Sequence, residues 1–411
     1  MKEKKSFLYG YSMVIHSFIC YLFTCFVVTG IPNVIFPVLT ANSGIETAVL
    51  LKTNTIVGII AAVLSVVIGQ LVLKKGPKLV TVLGYLLGGI VMILLGKMTG
   101  MAGIAICLFL VQLAMLSFSF MTTNNIIANW FPRKKGVILG ITTTGLAVGN
   151  STLTPLFSKL STAFGFNTAF AVYGIAMIAL GLISIAWIKE RPQEVGLYPD
   201  NDPNAVAMNT TNYVSDWTFG KLLRNKYSYL ITISYGLGFM ACIAAVSQLI
   251  PFAQYRAFTL PESLTIMSIG GIASAIISFI SGVIDQKWGT KKATILYCLL
   301  CLVSYVILIF VVHQPIVALI LIFVVGLNGA PGNLTPSMFI TKFGAKDYTA
   351  VNRLLMPVVM VLRSCSYFVV GMAISARGSY ADIYVALTIV IIISFVLLMF
   401  INTKNVEVAP K

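Results

Sequence analysis

Long apolar stretches separated by short polar segments run along the whole chain. Twelve of them can be drawn, and each has about the 20 residues that an α-helix needs to cross a bilayer roughly 30 Å thick. We number them spans 1 to 12, and they lie at 9–37, 49–73, 79–96, 101–129, 136–158, 167–188, 227–254, 262–284, 293–312, 315–341, 349–375 and 382–402. The pattern predicts an all-α integral membrane protein with twelve transmembrane helices.

The composition agrees with this interpretation and excludes a soluble fold. Hydrophobic residues make up 58% of the 411 residues and charged residues only 10%, so the chain cannot be divided into an apolar core and a solvated shell. The spans and their short connections use the whole chain. No separate soluble catalytic domain is therefore expected.

The basic residues lie mainly on one side of the predicted membrane. The net charge is +16 with 28 Lys and Arg, and counting loops alternately from a cytoplasmic start places most of them inside. The outer loops hold only Lys52, Lys97, Lys159, Arg256 and Arg377. This bias is typical of a multi-pass protein of the cytoplasmic membrane with both termini in the cytoplasm, so the charge does not indicate a nucleic-acid partner. The first stretch is too long for a signal-peptide core and is expected to stay as span 1.

One long polar connection divides the spans into two sets of six. It covers 189–226 and separates an N-terminal half, 1–188, from a C-terminal half, 227–411. One turn recurs at a constant offset: Gly69, Lys74, Gly76 and Lys78 after span 2 return as Gly282, Lys287, Gly289 and Lys291 after span 8. Spans 1 and 7 also share a proline near the outer end, Pro32 and Pro251. Repetition at a fixed offset predicts two pseudo-symmetric six-helix halves.

The two turns resemble the signature that follows span 2 in the major facilitator superfamily. The resemblance implies the major facilitator fold, in which spans 1, 4, 7 and 10 line a central cavity and substrate binds near the midplane between the halves. The turns would then act as gating and structural loops. The family usually places an acid four residues after the first glycine, whereas this chain has Leu73 in the first copy and Gln286, with Asp285 one place early, in the second. A charge-relay gate built on that acid is therefore not expected in the N-terminal half and stays open as an alternative in the C-terminal half.

A narrower resemblance rests on three segments. They read NWFPRKKG at 129–136, RPQEVGLYPD at 191–200 and DWT at 216–218. Together they are similar to the oxalate/formate antiporter and monocarboxylate transporter branch. This branch implies an organic anion as substrate and a functional cation in span 11, where the matching position is Arg363.

Arg363 is the one basic residue that falls deep within a span, since Lys52 and Arg353 lie within five residues of a span end. Counted from Val351, a rise of about 1.5 Å per residue places it about 18 Å into the bilayer. An arginine at that depth costs roughly 2.5–3.5 kcal/mol to insert, stays charged and normally meets an anion. All acidic residues map to loops or span ends, so a substrate anion is the expected partner. The alternative is that Arg363 binds helix carbonyls freed near Pro357.

Span 8 narrows the substrate class. The family usually supplies another cation there, and 263–284 contains none. Two carboxylates facing one arginine would leave a charge unpaired, so a monocarboxylate is expected. The aspartate and arginine that couple protons in the family's monocarboxylate symporters are also missing. Coupling is then left to exchange against another anion or to proton cotransport through His16.

Further polar residues at membrane depth are candidate substrate contacts. His16 pairs with Tyr235 when spans 1 and 7 are aligned on their prolines, and both could hydrogen-bond a carboxylate; a structural bond from His16 to a neighbouring helix is the equal alternative. The other candidates are Gln112, Asn124, Gln248, Asn328 and Tyr367. Each of these could instead join helices by hydrogen bonds.

Other functions fit the sequence less well. The two histidines, His16 and His313, belong to no zinc-protease helix, and there is no phosphate-binding glycine-lysine loop, so no enzyme activity, cofactor or metal is expected. Efflux of hydrophobic drugs and a non-transporting sensor on the same scaffold stay open as alternatives. The sequence also leaves open the substrate, the direction of transport and the coupling ion, and a monomer is sufficient for the mechanism.

Overall fold

The computed structural model describes residues 2–131, 135–202, 215–344, 347–377, 380–403 and 405–408. All regular structure in these ranges is helical, and they contain no strand. The predicted all-α fold class is confirmed. The first half contains α1 (Lys2–Cys25), a π-helix (Phe26–Ile35), α2 (Phe36–Ser43), α3 (Thr47–Lys75), α4 (Pro77–Leu95), α5 (Met101–Phe118), α6 (Phe120–Trp130), α7 (Lys135–Phe164) and α8 (Phe166–Trp187).

The connection and the second half continue in the same way. Two short 3-10 turns, Pro192–Val195 and Pro199–Asn201, follow α8. The later helices are α9 (Phe219–Arg224), α10 (Lys226–Ser247), α11 (Leu249–Tyr255), α12 (Leu260–Trp288), α13 (Thr290–Phe310), α14 (Gln314–Leu327), α15 (Pro331–Phe343), α16 (Tyr348–Ser364), α17 (Ser366–Arg377) and α18 (Ala381–Met399). The helix order follows the predicted order of spans.

Eleven helical segments in the described residues are long and apolar enough to cross a membrane. They coincide with the predicted spans other than span 5. Span 5 corresponds to α7, a 30-residue helix with Pro155 in its interior and several threonines and glycines along its length. The chain is a multi-pass membrane protein.

The first and fourth spans of each half are interrupted helices. Span 1 changes from α1 to the π-helix that contains Pro32, and span 7 breaks at Gln248, three residues before Pro251. Span 4 breaks at Ser119, and span 10 breaks just before Pro331. Proline removes a backbone donor and crowds the preceding turn, so three of these breaks have a direct cause in the sequence.

The described chain divides into two compact units, and the first is Met1–Val34, Val38–Ile45 and Ile60–Tyr213. In this unit α1 packs along α7, and α4 packs against α5 and α8. Glycines allow the first contact, because a Cβ on Gly145 would lie 2.3 Å from the Phe18 carbonyl oxygen and one on Gly149 would lie 2.5 Å from the Leu22 carbonyl oxygen. Small residues at such positions let membrane helices approach closely.

The second unit is Ile35–Pro37, Glu46–Ile59 and Val214–Lys411. Here α10 packs against α16 and α18, α12 packs against α14, and α13 packs against α18. The helix α10 is therefore the centre of the packing around span 11, which carries Arg363. The boundaries predicted for the halves and for the connection at 189–226 stay predictions.

Candidate functional site

Arg363 lies in the last turn of α16 and is 9% exposed. Its guanidinium carbon is 5.5 Å from the centre of the Phe239 ring on α10, and its Nη1 is 3.4 Å from the Met360 sulfur one turn earlier. A guanidinium above an aromatic face at this distance is stabilised by the ring quadrupole. Phe239 therefore fixes the position of the charge on which the predicted function depends.

The predicted partner Tyr235 lies one turn before Phe239 on α10 and is buried. Its hydroxyl is 2.7 Å from the Thr294 Oγ1 on α13. Thr294 donates its own proton to the Thr290 carbonyl oxygen at 2.8 Å, so the Tyr235 hydroxyl is the donor in this pair. The phenol thus joins spans 7 and 9.

Asn328 is brought to the same helix from span 10. The Cys242 thiol on α10 donates to its Oδ1 at 3.3 Å. Together, Tyr235, the Phe239–Arg363 contact and Cys242–Asn328 follow about two turns of α10, or about 10 Å along its axis. Three of the predicted site residues, Tyr235, Asn328 and Arg363, therefore lie on α10 or in contact with it.

Gln248 and Tyr367 are buried elsewhere in the second unit. Gln248 occupies the break between α10 and α11, where its Nε2 donates to the Ser247 carbonyl oxygen at 2.9 Å while its Oε1 is buried without a partner. Tyr367 lies one turn beyond Arg363 and is 4% exposed. A buried acceptor without a hydrogen bond costs free energy of folding. Gln248 is therefore, after Tyr235, the second candidate polar group on span 7.

His16 is 3% exposed on α1 and has partners within the first unit. Its Nε2 is 2.9 Å from the Ser184 Oγ on α8, and its Nδ1 is 3.7 Å from the Cys20 sulfur. Ser184 donates its proton to the Leu180 carbonyl oxygen, so the consistent assignment has Nε2–H donating to Ser184 and Nδ1 accepting from Cys20. Trp187 packs edge-on against the ring. These are the contacts of the structural alternative considered for His16.

The two remaining candidates lie on span 4. Asn124 is half-buried on α6, and its Oδ1 accepts from the Tyr21 hydroxyl at 3.0 Å. Gln112 is half-buried on α5. Asn124 is thus bonded to span 1, and His16, which lies on span 1, is bonded to span 6.

The repeated turns have the same backbone but different acids. Gly76 and Gly289 end their helices at φ +84° and +85°, a conformation that favours glycine. In the second turn the Asp285 carboxylate accepts from the Thr290 hydroxyl at 2.6 Å and from the Ser337 hydroxyl at 2.5 Å, which joins α12, α13 and α15. In the first turn the acid comes from after α8, because the Glu190 carboxylate accepts from the Lys78 N–H at 3.0 Å.

The other residues of the turns are placed as follows. Gly69 and Gly282 lie inside α3 and α12, and Lys74 and Lys287 are exposed near the ends of these helices. Lys291 donates to the Met399 and Ile401 carbonyl oxygens at 2.9 and 2.7 Å.

The segments used for the narrower resemblance connect elements of the first unit. The Trp130 Nε1 donates to the Lys189 carbonyl oxygen at 2.8 Å, and the Asn129 Nδ2 donates to the Glu190 carbonyl oxygen at 3.1 Å. The segment at 129–136 thereby holds the chain that leaves span 6. Residues 132–134 of this segment, and 203–214 of the polar connection, lie outside the described residues.

Two packed sets of helices with interrupted first and fourth spans, and a buried arginine on the eleventh, define the class of secondary transporters with repeated halves. Residues 17–352 match the Major Facilitator Superfamily. This covers most of the chain, and the protein belongs to that superfamily. The family prediction is confirmed at this level, and the narrower branch stays a prediction.

Two curated transporters match short stretches of the chain. The chain is 29% identical over 92 residues to the putative glycerol-3-phosphate transporter 1 of Arabidopsis thaliana, covering 22% of this chain and 17% of that one. It is 27% identical over 74 residues to the hexuronate transporter of Bacillus subtilis (strain 168), covering 18% of each. The matches thus span less than a fifth of either relative.

The solved structures show the fold alone. A bacterial homologue of the human lysosomal transporter Spinster, in its inward-facing and unoccupied conformation, superposes with a TM-score of 0.68 at 12% identity over 95% of this chain and 94% of that one. The same homologue in its occupied conformation gives 0.66 at 13% identity, covering 94% of each chain.

Proposed function

We propose that the protein is a secondary transporter that moves a small organic anion, with a monocarboxylate as the first candidate, and that Arg363 binds the anion's charged group. The observation that carries this proposal is the burial of a permanently charged guanidinium on the Phe239 ring at membrane depth. A permanent positive charge at this depth attracts a negative group. The charged group of a transported organic anion is the ligand that such a guanidinium suits.

The names of the two curated relatives support an anionic cargo. Glycerol 3-phosphate and hexuronate are both organic anions, although one carries a phosphate ester and the other a carboxylate. The proposal therefore includes sugar acids and phosphate esters as competing substrates. A guanidinium binds both groups through paired N–H donors.

Anion exchange is the coupling that the contacts favour. Both ring nitrogens of His16 already bind groups of its own unit, Ser184 and Cys20. A proton carrier at this position would have to break these bonds in each cycle. Exchange by alternating access in the cytoplasmic membrane requires no titrating group.

The experiment is uptake into proteoliposomes by wild-type protein and three variants. A thermal-shift screen of monocarboxylates, sugar acids, phosphate esters and hydrophobic drugs first identifies a ligand, since a ligand stabilises the state it binds. Arg363→Gln should then weaken anion binding by about 2–5 kcal/mol, or at least about 30-fold. Arg363→Lys keeps the charge without the paired donors and should be intermediate.

The matched control is Arg353→Gln, because Arg353 is an exposed arginine on the same helix. It should transport like the wild type. Unchanged uptake by a folded Arg363→Gln protein would refute the anion proposal, and stabilisation by drugs but by no anion would favour efflux instead.

A further inference from the structure

A groove of about 380 Å³ lies where α13 begins and α18 ends. It is separate from the residues around Arg363. The residues that line it are Lys291, Met399, Phe400, Ile401, Asn402 and Thr403. None of these is acidic, so the single charge in the lining is that of Lys291.

Two lysines fix the chain that forms the wall of the groove. Lys291 binds the carbonyl oxygen of Met399, the last residue of α18, and that of Ile401, two residues beyond the helix. Carbonyls at a helix end lack helical partners. Lys342 donates to the Asn402 and Asn405 carbonyl oxygens at 2.8 and 3.0 Å. These bonds hold the chain after α18 in place, so the groove is a preformed site.

The charge of the groove suits an anion. The Lys291 ammonium has three N–H donors and uses two of them on carbonyls, which leaves one for a ligand in the groove. Lys287 and Lys292 on the same turn are exposed to solvent and add to the local positive potential. Basic sites between the ends of membrane helices bind lipid phosphates.

The aromatic residues place the groove at the level of the lipid headgroups. Phe400 lines it and is 67% exposed, and Trp288 at the end of α12 is 60% exposed. Tryptophan side chains concentrate at the membrane–water interface, so Trp288 is the residue that indicates this level. Phe400 offers an apolar wall beside the ammonium, as a phosphate joined to an acyl chain requires.

The first half lacks this arrangement at the equivalent turn. Lys78 occupies the position of Lys291 in the repeat, but its own backbone N–H binds the Glu190 carboxylate. This acid contacts the backbone of Lys78 itself, whereas the acid of the second turn, Asp285, accepts from the Thr290 and Ser337 hydroxyls. Lys78 therefore serves as the comparison position for Lys291.

We propose that the groove binds the headgroup of an anionic phospholipid, with the phosphate on Lys291 and the first part of an acyl chain along Phe400. The site is independent of the transported anion. It would tie the end of span 12 to the lipid on the side predicted to be cytoplasmic.

The test measures lipid binding to the purified full-length protein by native mass spectrometry and by thermal shift. Phosphatidylglycerol should bind and raise the melting temperature, and phosphatidylcholine should not. Lys291→Gln should weaken phosphatidylglycerol binding about fivefold, the factor for one lysine near an anionic lipid surface. Lys291→Arg should keep the binding, and Lys78→Gln should match the wild type.

A second variant separates lipid binding from the capping of α18. Thr403→Leu fills the groove without changing charge or the carbonyl bonds, and it should also weaken phosphatidylglycerol binding. Equal responses of the Lys291→Gln and Lys78→Gln proteins, or equal effects of the two lipids, would overturn the proposal. A shift produced by inorganic phosphate alone would refute the lipid as ligand and assign the groove to a soluble anion.

Discussion

The ion pair between Lys342 and Glu407 is the feature whose removal has the clearest expected consequence. The Lys342 side chain is 1% exposed, and its Nζ lies 3.0 Å from the Glu407 carboxylate, which is 26% exposed. Tyr227 packs below the ammonium with its ring centre 3.8 Å away. The Glu407 N–H also donates to the Lys342 carbonyl oxygen at 2.7 Å. The C-terminal segment is thereby fixed to the end of span 10.

The size of the effect follows from these partners. Removing one member of a buried pair costs about 3–5 kcal/mol when the remaining charge is left alone. Here the ammonium would keep two carbonyl acceptors and one aromatic face, and the carboxylate is partly solvated. We therefore expect Glu407→Gln to lower the free energy of unfolding by about 2 kcal/mol, below the range for a fully isolated charge.

Chemical denaturation in detergent measures the change in the free energy of unfolding. Carboxypeptidase digestion measures the release of the C-terminal segment that carries Glu407. Glu407→Gln should speed digestion, whereas Glu46→Gln, which neutralises an exposed acid, should change neither. Lys342→Met removes the buried charge, so this variant no longer needs a carboxylate partner. The loss of unfolding free energy in the double variant, Lys342→Met with Glu407→Gln, should therefore be smaller than the sum of the two single losses by about 1 kcal/mol or more. Strict additivity, or unchanged digestion, would show that the pair does not hold the tail.

Three further variants test the packing and the polar contacts. Gly149→Ala should cost about 1–3 kcal/mol in thermal stability because its Cβ meets span 1, whereas Gly140→Ala, which meets nothing within 4 Å, should not; equal losses would contradict the close approach. Asp285→Asn should lose about 1 kcal/mol, since an amide NH2 group, which is a donor, replaces one of the two acceptor oxygens that bind Thr290 and Ser337, and a melting temperature equal to that of wild type would remove the assigned role. His16→Gln should lower stability yet keep anion exchange in proteoliposomes, and a loss of transport in folded protein would restore a role in coupling.

The apolar stretches, the polar segments between them and the prolines were enough to predict the order of the helices. The apolar runs predicted the eleven segments of the described residues that are long and apolar enough to cross a membrane. Pro32 and Pro251 predicted the interruptions in spans 1 and 7. The end of span 10 was less accessible, because Lys342 follows the last apolar residues and reads as a solvated cation. The structure buries it under a tail that lies about 60 residues away along the chain, and no local pattern encodes such a contact.

The candidate site was predictable only in part, for a related reason. Arg363 is conspicuous because a charge in an apolar run is rare. Phe239 carries no such signal, since aromatic residues are common in spans and only the packing of α10 on α16 brings the ring to the guanidinium. Tyr235 and His16 were predicted as a pair by alignment of the halves, yet each is bonded to a helix of its own unit.

The repeated turns show where sequence repetition stops determining chemistry. Their glycines adopt nearly the same φ, +84° and +85°, because the backbone conformation depends on local residues that both copies share. Their acids have different origins: Asp285 lies within its own turn, whereas Glu190 comes from the chain that follows span 6. The absence of an acid at Leu73 therefore does not leave the first turn without a carboxylate. The same difference places the Glu190 carboxylate on the backbone of Lys78, whereas the residues that line the groove at Lys291 include no acid. We therefore expect the proposed lipid site in the second half only.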